Sequence, residues 1–298
     1  MIETEDYWIN DKKLIFKPKF NSKLDNYYEL IKKYDELIFS NYGNLYALIE
    51  LNKHKNYKPN CDGSKFNQSI QLTKNITHLT FGTYFNQSIE LTENIIDLTF
   101  GHNFDQSIQL IKNITHLTFG VCFNHKIKLT DKITHLTFGN NFNQSIELVK
   151  SLIYLFFDNQ FNQPIKLTEN IKYLYFGKKF NQPIEFIEGL THLALGDNFN
   201  QKVNLPETLI YLKLNCNNIN LIDNLPNSIE ELYLLKNFDL ELSNLPNSIK
   251  KIKFESDSYY NKELNNLPKF VECLELPKKY NLKIINKPKN LKTIEYDI

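Results

Sequence analysis

The residue types best suited to chemistry recur in this chain at one interval. His78, Asp97, His116 and His135 stand 19 residues apart. Imidazole and carboxylate groups hold transition metals and move protons, so a metal site or an acid–base pair is the first chemistry to weigh. Strands of a sheet lie about 4.8 Å apart, however, and duplication of one unit stacks histidines with nothing between them. The pattern is therefore assigned no metal, and it predicts instead that stability falls as pH drops through the histidine range, because stacked rings repel once protonated. Farther along, Tyr154, Phe156, Tyr173, Tyr175, His192, Tyr211 and Tyr233 recur at much the same spacing. Rigid rings with hydroxyl handles are enriched at interface hot spots, which makes these the candidate binding residues. The alternative is a ladder of rings that only stabilises its own sheet.

No constellation for catalysis accompanies them. G-x-x-x-x-G-K, G-x-S-x-G, H-E-x-x-H and EF-hand patterns do not occur, and Gly82, Gly101, Gly120, Gly139, Gly177 and Gly196 recur as turn residues after a strand. Cys61, Cys122, Cys216 and Cys273 form no C-x-x-C pair, which predicts neither zinc nor a disulfide framework. The reading is of a non-enzymatic chain without cofactor.

Composition narrows the partners. The 35 basic residues, all lysine, balance 34 acidic ones. A net charge of +1 makes no general field for nucleic acid or anionic lipid, and without arginine the bidentate fork used in base readout is missing. Neither nucleic acid nor membrane is expected as a partner. The start Met1-Ile2-Glu3-Thr4-Glu5-Asp6 is acidic where a signal peptide is basic, and no run reaches membrane-spanning length. The expected location is the cytoplasm, or the host cytoplasm if the source is viral.

What positions all these residues is a repeat. Phenylalanine returns at 66, 85, 104, 123, 142, 161, 180 and 199, and a fixed short period of this kind marks a solenoid. Within each copy, segments such as Ile76-x-x-Leu79-x-Phe81 read as a bend followed by a short strand with alternating faces. Nineteen residues leave too little chain for a helix on the return. The predicted fold is a repeat solenoid, mainly β, with a leucine-rich-repeat-like parallel sheet and short extended return segments. We read one domain over 1–298: N-terminal rungs over 8–39, an insertion or degenerate coil over 40–65, regular repeats over 66–204, and looser Leu-Pro repeats over 205–298. Tyr7 and Trp8 are expected to cover the first rung, a short helix is expected over 41–51, and an exposed loop over 52–63. The final strand edge is expected to support weak self-association.

An asparagine follows the phenylalanine at 67, 86, 124, 143, 162, 181 and 200. The expectation is an internal amide bonded to neighbouring backbone. Asp105 stands where the ladder would place asparagine, and as a group that only accepts it is expected to weaken the fold, so that Asp105→Asn stabilises.

Phe161-Asn162-Gln163-Pro164-Ile165 and Phe180-Asn181-Gln182-Pro183-Ile184, joined to L-x-x-L-x-F-G segments, resemble the FNIP repeat. This relative of the leucine-rich repeat is found in proteins of amoebae and of giant viruses that infect them. Several copies replace the proline with Ser69, Ser88, Ser107, Lys126 or Ser145. The resemblance implies a scaffold that binds another protein through the concave sheet face. Because some relatives carry an F-box, it also raises a substrate adaptor of a ubiquitin ligase. A carbohydrate-binding solenoid using the stacked aromatics is the remaining alternative.

Overall fold

The computed structural model describes residues 2–42 and 63–296. The helix expected over 41–51 and the loop over 52–63 lie, apart from residues 41, 42 and 63, outside the described residues. The chain falls into two compact units, Met1–Leu152 and Ile153–Ile298, and each is a β-solenoid built one strand per rung.

In the first unit β1 (Ile2–Glu3), β2 (Tyr7–Asn10) and β3 (Lys13–Phe16) pair antiparallel. From β3 onward every pairing is parallel, through β4 (Glu36–Phe39), β5 (His78–Thr80), β6 (Asp97–Thr99), β7 (His116–Thr118) and β8 (His135–Phe138). Trp8, on β2, is buried against Ile15, so the antiparallel strand covers the first parallel rung. The second unit runs parallel throughout: β9 (Tyr154–Phe157), β10 (Tyr173–Phe176), β11 (His192–Leu195), β12 (Tyr211–Leu214), β13 (Glu231–Leu234), β14 (Lys251–Phe254), β15 (Cys273–Leu276) and β16 (Thr293–Tyr296).

Strand periodicity decides what is buried. In β8, Leu136 and Phe138 point inward while His135 and Thr137 stay partly exposed. Leucine stacks on leucine in register, Leu79 on Leu98, Leu98 on Leu117 and Leu117 on Leu136, all buried. After the strand the chain turns, and Phe85 lies on Phe81 with ring centroids 3.7 Å apart. Each such ring then meets its copy on the next rung, at 5.6 Å for Phe81–Phe100 and 6.1 Å for Phe85–Phe104. Burying each phenylalanine contributes about 1.5 to 3 kcal/mol. Phe39 and Phe66 stack in the same way at 3.9 Å, and β4 pairs directly with β5. Phe39 and Phe66 thus meet as one stacked pair, like Phe81 and Phe85, although 26 residues separate them in the sequence. Asn41 joins the chain at Ser64 to the turn after β5, its Oδ1 accepting from Ser64 N at 2.9 Å and Thr83 N at 2.8 Å.

The turn glycines answer to crowding. A Cβ at Gly120 would lie 1.9 Å from the Gly101 carbonyl oxygen, and one at Gly101 only 2.0 Å from that of Gly82. Their backbones avoid the left-handed region, so the close approach of successive turns is the whole requirement.

The asparagine ladder holds the return side, in a form that corrects two expectations. Asn67, Asn124 and Asn200 are exposed, not internal. The working atom is Oδ1: that of Asn67 accepts from Asn86 N at 2.9 Å and Gln87 Nε2 at 3.1 Å. The same pair of bonds runs from Asn181 N and Gln182 Nε2 to Asn162, and from Asn200 N and Gln201 Nε2 to Asn181. Because the bonds across the rungs need an acceptor, Asp105 does not break the ladder. Its Oδ1 accepts from Asn124 N at 3.0 Å, and His125, standing where other rungs have glutamine, sets Nε2 3.2 Å from that oxygen and 3.0 Å from the Asp105 carbonyl.

Candidate functional site

The outward positions of each strand flank its buried leucine. In the first unit they form two columns, His78, Asp97, His116 and His135 in one and Thr80, Thr99, Thr118 and Thr137 in the other. His116 and His135 stack with centroids 4.3 Å apart. Each histidine of this column is aimed by the threonine before it. Nδ1 of His78, His116 and His135 lies 2.8 to 2.9 Å from the hydroxyl of Thr77, Thr115 and Thr134. Those hydroxyls in turn donate to carbonyls of the preceding rung, as Thr134 does to Thr115 at 3.2 Å. A hydroxyl whose proton is committed there accepts from Nδ1–H. The Thr-His dipeptide therefore orients each ring, which the sequence reading missed although the dipeptide recurs in plain view.

Burial shifts two groups of this column. It raises the Asp97 carboxyl, against the pull of His116 and His78. It also lowers the His135 imidazole, helped by His116 and opposed by Asp97. Lys13 pairs with Glu36 at 2.7 Å beside an open hollow of about 540 Å3 that His78, Asp97 and Thr99 also line. Among the described residues no three metal-ligating side chains converge.

In the second unit the two columns are Tyr154, Tyr173, His192, Tyr211 and Glu231, and Phe156, Tyr175, Ala194, Lys213 and Tyr233. Register thus brings all seven candidate binding residues onto one face, each partly exposed. Their rings touch in sequence: Tyr154–Tyr175 at 5.5 Å, Phe156–Tyr175 at 6.0 Å, Tyr173–His192 at 4.5 Å, His192–Tyr211 at 5.4 Å and Tyr211–Tyr233 at 5.3 Å. His192 is oriented like the others, Nδ1 on Thr191 Oγ1 at 2.9 Å. Burial raises the Tyr154, Tyr175 and Tyr211 hydroxyls and lowers the His192 imidazole, so these four rings are uncharged near neutrality. Ala194 stands in register between Tyr175 and Lys213.

The ladder ends in a charged clamp. Lys251 and Lys253 reach over the Tyr233 ring and both bind Glu275, Lys251 at 2.7 Å. Burial works to raise that carboxyl, but the two lysine bonds outweigh it and hold it below the usual carboxylate range. The clamp was missed in the sequence because its acid comes from the following rung.

A family model of the FNIP repeat matches residues 66–92, 123–160, 161–187 and 217–257. The chain carries FNIP repeats. No curated protein matches it significantly. Among solved structures the chain is similar to CroV588 of a giant virus, described as a novel circular LRR protein, with 31% identity and a TM-score of 0.66. That likeness covers 98% of this chain and 54% of the viral one, so the FNIP-repeat chain spans about half the length of this neighbour. No helix among its described residues is long and apolar enough to cross a membrane.

Proposed function

We propose that this chain is a non-enzymatic scaffold that binds another protein through the aromatic face of β9–β13. The observation that carries the reading is the unbroken run of partly exposed rings from Tyr154 to Tyr233, closed at one end by charged side chains. An apolar centre with a polar margin is the composition of a protein interface. FNIP and leucine-rich solenoids commonly serve as interaction scaffolds, which supports the same class. Carbohydrate stacking is less well served, because the rings of Tyr173, His192 and Tyr211 turn their faces to one another.

The test is affinity capture from the natural cell with the native chain, with a Tyr154→Ala, Phe156→Ala, Tyr173→Ala, Tyr175→Ala variant shown to fold, and with a His78→Ala, His116→Ala control. The expected result is one specific partner lost only from the aromatic variant. That partner's identity separates a plain scaffold from a ubiquitin-ligase adaptor. Retention of the same partner by all three overturns the placement, and glycan binding without a protein partner overturns the class.

A further inference from the structure

The charge balance of the whole chain conceals a local excess. Residues 278–292, the return segment between β15 and β16, hold six lysines and no acidic residue. Lys278, Lys279, Lys283, Lys287, Lys289 and Lys292 are all exposed. Lys292 binds Glu272 at 2.6 Å, while Lys283, Lys287 and Lys289 have no carboxylate within ion-pair distance among the described residues.

The same segment turns apolar side chains outward. Tyr280 and Ile284 are buried and anchor it, with the Tyr280 hydroxyl donating to the Lys262 carbonyl at 3.1 Å. Between and beyond those anchors Leu282 is 36% and Ile285 68% exposed. The neighbouring rung carries Asn265 beside Ile285, its Oδ1 accepting from Ile285 N at 3.0 Å. An outward place that is polar on one rung is therefore aliphatic on the next. Tyr259, also 68% exposed, lies under Lys279, whose ammonium is 5.2 Å from the ring.

We infer that this lysine-rich return segment is a docking surface for an anionic lipid bilayer. Lysines attract acidic headgroups as point charges, and aliphatic tips beside them gain by entering the headgroup–acyl boundary. A nucleic acid offers nothing to Leu282 and Ile285, and the Tyr259 ring, already covered by Lys279, is no platform for a base. The contact is peripheral and reversible.

The test is flotation of the whole chain with two kinds of vesicle, phosphatidylcholine alone and phosphatidylcholine with about one third phosphatidylserine. Binding is expected to the second only, and to vanish in molar salt, where the screening length is about 3 Å. Lys283→Gln, Lys287→Gln and Lys289→Gln together should weaken it about a hundredfold, at about fivefold per lysine. Ile285→Asn, which keeps every charge, should weaken it severalfold. Thermal midpoints of the variants establish that they fold. The inference is overturned by no binding to the acidic vesicles, by equal binding to both kinds, or by a triple variant that binds like the native chain. It is also overturned if duplex DNA displaces the vesicles while Ile285→Asn has no effect, which would mark a surface for polyanions in general.

Discussion

His135 lies against His116, ring on ring at 4.3 Å and 14° from parallel. Burial and that neighbour hold His135 below the ordinary imidazole value of 6.5, and burial does the same to His192. A base with a lower value in the folded chain takes its proton first in the unfolded chain. Its contribution is therefore whole above about pH 6.5 and is lost as pH falls through the folded value. Asp97 has the opposite sign, since burial raises its carboxyl and its protonation at lower pH returns stability. The thermal midpoint should fall between about pH 7.5 and 5.5, and fall less in His135→Gln. A flat profile in the native chain would refute this.

Asp105 serves the ladder through one oxygen, which asparagine also offers. Asp105→Asn should leave stability within about 0.5 kcal/mol, since an exposed ion pair with His125 contributes little. Asp105→Ala removes the acceptor and should cost about 1 kcal/mol. Urea unfolding at unchanged slope measures both, and a clear gain for the asparagine variant would restore the view that the carboxylate is a defect.

Gly120 and Gly189 separate crowding from conformation. A methyl at Gly120 meets the Gly101 carbonyl at 1.9 Å, whereas one at Gly189 would make only an ordinary contact, 3.8 Å from the Glu169 carbonyl, but at a φ of +97°. Gly120→Ala should lose about 2 kcal/mol or more by overpacking, and Gly189→Ala about 1 kcal/mol by strain. The reverse order in denaturant midpoints would contradict the stacked-turn account.

Thr130 buries its hydroxyl oxygen without a hydrogen-bond partner, as do Thr73 and Thr92. The flanking repeats carry Ile111 and Val149 at the same position. Thr130→Val should therefore raise stability by about 1 kcal/mol, read as a higher thermal midpoint.

The sheet and its inward columns were legible because Leu79-x-Phe81 and Phe85 recur at a spacing that only stacked rungs satisfy. Parity along each strand likewise put Tyr154, Tyr173 and Tyr211 on the outward side. Sequence names a residue without saying which of its atoms is used, and so Asp105 read as a fault when an acceptor was all that was needed. The Glu275 clamp joins neighbouring rungs of the looser part of the repeat, where spacing no longer lines up partners. Five residues from Ile219 to Asp223 form a helix with Asn218 at its start, its Oδ1 accepting from Asn220 N, a break in the period that only the fold displays. The lysines of 278–292 were visible, but averaging charge over the chain removed them from view.

The columns of Phe81, Gly82 and Asn67 each find their partners one whole repeat away. Adding or removing 19 residues leaves every column continuous, whereas a single extra residue in a return segment shifts all three at once. Recombination between neighbouring copies thus yields working descendants where small insertions do not, and the gene can change length safely only in steps of one rung. Phe39 and Phe66 are the instructive exception: 26 residues separate them in the sequence, and their rings still stack on one another.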